Sequence, residues 1–177
     1  MITRPDPSEY APYFDRYIEE ARATGNDPVA MMKAQLASTG ALLDGVSEER
    51  STYRYAPDKW SIREITGHLI DAERIFSCRA LRLARGDRAH LPGFDENEYV
   101  AAASFDARTL RSLVDEWRHV RQATIALFEG LPDEALGRTG IASNGPMSAR
   151  ALAWIIPGHE RHHADVLRGR YLGGTAA

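Results

Sequence analysis

Ile62, Ile65, Leu69, Ala72, Phe76, Ala80 and Leu83 recur at intervals of three and four residues, the repeat of one face of an α-helix. A stripe of that length has to be covered by other elements, which commits the neighbouring chain to packing against it. Ser61 stands just before the stripe with Glu64 three residues on, the reciprocal arrangement that caps a helix start. The predicted helix runs from Ser61 to about Arg85 and ends at Gly86. Ahead of it, Tyr55-Ala56-Pro57-Asp58-Lys59-Trp60 reads as an extended, proline-set approach.

The remaining segments repeat the pattern. A first helix is expected from about Ser8 to Ala23, closed by Thr24-Gly25-Asn26. Asp27 then caps a second from Pro28 to about Leu43, with proline at the favoured first position, and the two form one broken arm of a bundle. Asp87 to Phe105 is a long connection containing Pro92 and Gly93, with one short helical turn around Glu96 to Ala101. It is long enough to cross a bundle end or cover a site. Asp106 is the expected cap of a third long helix reaching Glu129, with Leu110, Leu113, Trp117, Val120, Thr124 and Leu127 on one side. Gly140 to Pro146 reads as a polar loop, and Ser148 as the cap of a last helix extending to about Arg170. Sustained period-2 alternation is missing. The fold class is therefore all-α, a single helical domain spanning residues 1–177 with a broken first arm.

A chain of 177 residues buries roughly 70% of its unfolded surface, enough for a core that needs no disulfide. Its 22 basic and 25 acidic residues are intermixed and leave a net charge of −3, so no basic face exists for a phosphate backbone or an anionic membrane. Only Lys33 and Lys59 are lysines, which reads as a compositional bias toward arginine. The single cysteine, Cys78, precludes an internal disulfide, fits a reducing compartment and reads as a small buried hydrophobe. With no hydrophobic leader and no stretch near ~20 apolar residues, the expectation is a soluble, cytoplasmic protein.

The last helix carries the chemistry. Its core face holds Leu152, Ile155, Ile156, His159, His163, Val166 and Leu167, so two imidazoles four residues apart lie within an apolar stripe. Buried imidazoles need partners for their nitrogens, and one metal ion satisfies both at once. A third ligand is then required, and His68, bordering the stripe of the helix after Ser61, is the natural candidate. Glu64 and Asp71, one turn either side of it, are the groups that would orient its ring, with solvated charge as the plainer reading of both. His162, His119 and His90 read as surface or supporting residues. His159-Glu160-Arg161-His162-His163 also spells the zinc-protease signature H-E-x-x-H, in which Glu160 would be the general base. Pro157-Gly158 directly precedes His159 and predicts a kink in the last helix.

Three segments together, Trp60-Ser61-Ile62-Arg63-Glu64-Ile65-Thr66-Gly67-His68-Leu69-Ile70-Asp71-Ala72-Glu73, Leu91-Pro92-Gly93-Phe94-Asp95-Glu96-Asn97-Glu98-Tyr99 and Gly158-His159-Glu160-Arg161-His162-His163, resemble the DinB/YfiT-like superfamily. This superfamily is distinct from the DNA polymerase that shares part of the name. The resemblance covers nearly the whole chain and implies a four-helix bundle with a metal between helices. Its ligands carry over to His68, His159 and His163, leaving Glu160 without a required role. The implied cofactor is one divalent ion, zinc or nickel ahead of iron, manganese or copper. The implied activities are transfer reactions using low-molecular-weight thiols such as bacillithiol or mycothiol, a mycothiol-dependent maleylpyruvate isomerisation, and metal-dependent hydrolysis. The expected partner is a small-molecule substrate, with a thiol preferred to metal-activated water because no protein nucleophile stands out. No residue is assigned as catalytic. Arg63, Arg74 and Arg161 are candidates for reading carboxylates, and the resemblance implies a homodimer with Tyr13 and Tyr17 as candidate contacts. The rivals are a zinc protease, for which no substrate-holding sheet edge is visible, and a non-catalytic protein stapled by its metal.

Overall fold

The computed structural model describes residues 1–173 of the chain. Among them are the helices α1 (Asp15–Arg22), α2 (Pro28–Asp44), α3 (Ile62–Ala84), α4 (Glu96–Ala103), α5 (Leu110–Glu129), α6 (Asp133–Leu136) and α7 (Ala149–Val166). A hairpin of β1 (Thr139–Ala142) and β2 (Gly145–Ser148) stands before α7. Helix α3 lies against α5 and α7, and α2 lies against the same two helices. The four long helices thus form a bundle with α2 and α3 at opposite corners, and α1 packs along α7. No helix among the described residues is long and apolar enough to cross a membrane.

The caps read from the sequence hold where a polar side chain sits alone before an apolar run. Ser61 Oγ accepts from Glu64 N at 3.0 Å while the Glu64 carboxylate accepts from Ser61 N at 2.7 Å. Asp27 caps α2 and Ser148 caps α7. All seven stripe residues of α3 are buried, each stabilising the fold by about 1.5–3 kcal/mol for the larger side chains.

Four expectations are corrected. The segment from Ser8 is not one helix: 3₁₀ turns at Pro7–Glu9 and Pro12–Phe14 precede α1, because each proline starts a new turn after an extended residue. Thr109, not Asp106, caps α5, since Asp106 is held outside the helix by Ser61 and Arg54. Gly140 to Pro146 is not an irregular loop but the turn region of the hairpin, with Ser143 and Asn144 both at positive φ, as a two-residue hairpin turn of this hand requires. The last helix leaves the α form at Val166 and finishes as a wider π-helical turn over Leu167–Tyr171.

Helix α7 passes through Pro157 without a break, so the expected kink does not interrupt it. The neighbouring Gly158 has a clearer role. A Cβ there would lie 1.8 Å from the Tyr17 carbonyl oxygen, so α1 and α7 are in backbone contact at the residue before His159.

The hairpin is bonded to the connection that follows α3. Leu91 N donates to Ile141 O at 2.9 Å and Ser143 N donates to Leu91 O at 3.0 Å. The connection after α3 is thereby tied to the hairpin, whose Gly140 meets Leu83 near the end of α3 and whose Ser148 starts α7.

Candidate metal centre

His68 comes from the inner face of α3, and His159 and His163 come from successive turns of α7. One ring nitrogen from each of the three lies within 4.8 Å of the others. The ring centroids form a nearly equilateral triangle with sides of 5.0, 4.9 and 4.7 Å. His68 and His159 are buried and His163 is half-buried.

Nε2 of His68 and Nε2 of His159 are 3.0 Å apart. A tetrahedral ion bound by nitrogens at ~2.0–2.1 Å holds its ligands about 3.3 Å from one another, so this donor set fits a divalent ion with little movement. Burial, followed by the neighbouring His162, lowers the pKa of His68 to about 4. Burial and the adjacent imidazoles hold His159 and His163 well below the ordinary histidine value. All three rings are therefore uncharged near neutral pH, the protonation state in which imidazole binds a metal.

Aromatic side chains fix the rings. Trp60 lies 4.9 Å from His68 and stacks on His163 at 6.5 Å. Tyr17 and Phe76 meet the edges of His159 at 5.2 and 5.7 Å. The triad opens into a cavity of about 630 Å³, walled by Tyr13, Phe14, Tyr17, Phe76, Phe94 and the hairpin turn at Ser143 and Asn144. Gly67, the residue before His68, allows Phe105 to press against α3, where a Cβ would stand 2.4 Å from the ring.

A family model described as the DinB superfamily matches residues 31–167, a span that includes all three histidines. The chain belongs to the DinB superfamily. A solved structure, YfiT from Bacillus subtilis, is similar with a TM-score of 0.67 over 97% of this chain and 94% of that chain, at 15% identity. It is described as a probable metal-dependent hydrolase with an unusual four-helix bundle topology. At that identity the likeness carries the fold alone. No curated protein sequence matches the chain.

Within this DinB-superfamily bundle, Glu160 turns away from the triad. Its carboxylate pairs with Arg121 of α5, whose Nε and Nη2 also donate to Glu73 of α3 at 2.8 Å each. Arg121 Nη1 donates to Gln35 of α2 at 2.9 Å, and the Thr39 hydroxyl, also of α2, favours the charged form of Glu160. Burial opposes the charge on Arg121, but Glu160 and Glu73 outweigh it and hold its pKa above the ordinary value. Burial raises the pKa of Glu160 in spite of Arg121. A protease general base would have to face the ion, so this geometry removes the H-E-x-x-H reading.

Other expected residues are placed differently from the sequence reading. Glu64 serves the cap of α3 and pairs with Arg54, and no hydrogen bond joins Asp71 to His68 among the described residues. Arg63 pairs with Glu48, Arg74 with Glu116 and Arg161 with Asp165, so none of the three lines the cavity. Tyr17 is buried against His159 and His162 and is no surface contact, whereas Tyr13 is exposed at the cavity wall. Cys78 is exposed, not buried, and lies outside the cavity. His90 and His119 are exposed, as expected. His162 is half-buried in the cavity wall with Nδ1 3.6 Å from Glu20.

The sequence reading missed Arg79 and Arg121. Arg79 falls three residues after Phe76 and four before Leu83, and Arg121 four after Trp117 and three before Thr124. A charged residue at a stripe position was the available signal, since such residues are buried only with partners or for a purpose.

Proposed function

We propose that His68, His159 and His163 hold one divalent ion, zinc or nickel ahead of iron, manganese or copper, and that this protein is a metal-dependent enzyme using a small thiol. The observation that carries the reading is the convergence of three uncharged imidazoles, two buried and one half-buried, at the wall of a cavity, with no anionic side chain among them. An ion held by neutral ligands keeps its full charge, favours an anionic fourth ligand and promotes loss of a thiol proton.

The chain's own residues supply the rest. Trp60, Tyr17 and Phe76 orient the imidazoles and exclude water from their flanks. His162, kept below its ordinary pKa by burial and by Arg16, is uncharged and lines the cavity beside His163, where its free nitrogen can accept the thiol proton. In the net reaction the sulfur forms a bond to a substrate carbon, that carbon's leaving group departs with its bonding pair, and the thiol proton is released. Cys78, exposed and outside the cavity, plays no part.

A second reading, hydrolysis with water in place of the thiol, is favoured by the same three-histidine donor set, which suits a catalytic ion keeping one position for water, and by the description of YfiT. Elemental analysis of untagged protein, followed by thiol titration of a cobalt-substituted sample, tests the first reading. One ion per chain, a sulfur-to-metal charge-transfer band and proton release are expected. A metal-loaded protein with no spectral response to thiols, but with metal-dependent ester or amide hydrolysis, would transfer the assignment to the second reading.

A further inference from the structure

Arg79 is the one strongly buried cation among the residues that line the cavity, at 4% exposed. Its Nη2 donates to the Pro92 carbonyl at 2.6 Å, while Nη1 is shielded from solvent and has no acceptor among the described residues. No carboxylate comes within ion-pair distance of it among those residues; Glu96, the acidic residue of the cavity wall, does not reach it. Arg121, buried more deeply still, is by contrast clasped by two carboxylates. Burying a guanidinium without an anion is unfavourable, and burial lowers the Arg79 pKa accordingly. The guanidinium carbon lies 6.0 Å from the centre of Phe76 and 5.8 Å from that of Phe94. Phe76 in turn meets His159, so one phenyl ring separates the cation from the histidine triad.

We propose that Arg79 is the anion-recognition residue of this cavity, and that the substrate is a small molecule carrying a carboxylate beside an apolar portion seated on Phe76 and Phe94. A planar guanidinium with a free donor matches a carboxylate, and the aromatic walls take the hydrocarbon next to it. The proposal rests on the functional reading above only for where the reacting end of the molecule lies. Arg79 is a specificity residue, set apart from the triad by the Phe76 ring.

The test is calorimetric titration of the purified protein with 3-phenylpropionate and with 3-phenylpropanol, repeated on the metal-free protein. The acid should bind roughly tenfold or more tightly than the alcohol, as a charge-assisted pair warrants, and the preference should persist without metal. R79Q should abolish the preference while leaving alcohol affinity and metal content unchanged, and R79K, which keeps a charge, should retain part of it. Several results would overturn the proposal: equal binding of acid and alcohol or no binding of either, a preference that survives R79Q or vanishes on metal removal, and equal weakening of both ligands by R79Q, which would make Arg79 only an anchor for the Pro92 connection. Tighter binding of inorganic phosphate than of the acid would overturn the carboxylate assignment. Because the metal-free arm reads Arg79 alone, loss of the thiol reading and loss of this one are separable.

Discussion

His159 and Glu160 are adjacent on α7, yet they enter two opposite kinds of buried polar cluster. Glu160 joins Arg121, Glu73, Gln35 and Thr39, a set drawn from all four long helices in which positive and negative groups meet within the protein. His159 joins His68 and His163, drawn from two helices, uncharged and facing a cavity. The first cluster carries its own counter-charge in Arg121 and joins the four helices of the bundle. The second gathers nitrogen lone pairs with no cation of the protein's own, so its completion has to come from outside. Adjacent positions on one helix therefore separate holding the fold from serving a ligand, because consecutive residues point to different faces.

The sharpest way to break the comparison is Arg121→Met, which leaves Glu73 and Glu160 buried without their counter-charge. Urea unfolding should show a loss of about 3–5 kcal/mol, the usual cost of removing one partner of a buried pair. A loss no greater than that of a surface substitution would mean that the cluster does not hold the bundle. The histidine cluster should respond to its ligand instead: zinc at a hundredfold excess over its dissociation constant should stabilise the wild type by about 2.7 kcal/mol. The same addition should leave a His68→Ala, His163→Ala double variant unmoved, which thermal scans with and without chelator would read. Gly158→Ala tests how the two clusters are set into one helix. The new methyl group must displace Tyr17 and α1, for an expected loss of about 1–3 kcal/mol, and an unchanged midpoint would remove the close approach from the account. His162→Ala and His119→Ala should have the smallest effects on metal content, with stoichiometry retained in both.

The bundle was legible because its long helices carry both signals a sequence offers, an apolar stripe at helical period and a polar cap at the start. Ser61 and Glu64 before the α3 stripe are the clearest case. What escaped was decided by tertiary competition. Asp106 and Thr109 are both good caps, and only the fold assigns Asp106 to Ser61 and Arg54. Strands of four residues are too short for a period-2 pattern to stand out, although Asn144-Gly145 was a turn signal inside the presumed loop. At the site, the i,i+4 spacing made His159 and His163 visible and left His68 to be found by placement. Arg79 and Arg121 stayed hidden because a charged residue on a stripe reads first as an interruption of it.

The proposed division of work between the two clusters has the histidines binding the ion and Glu160 serving the fold. It is tested most directly by measuring metal content for His68→Ala and Glu160→Gln side by side, after equilibration with a dilute chelator. Loss of a ligand should weaken metal affinity tenfold or more, so His68→Ala should lose its metal while Glu160→Gln keeps one ion per chain despite lower stability. Full metal occupancy in His68→Ala, or a folded Glu160→Gln protein stripped of its ion, would contradict the account.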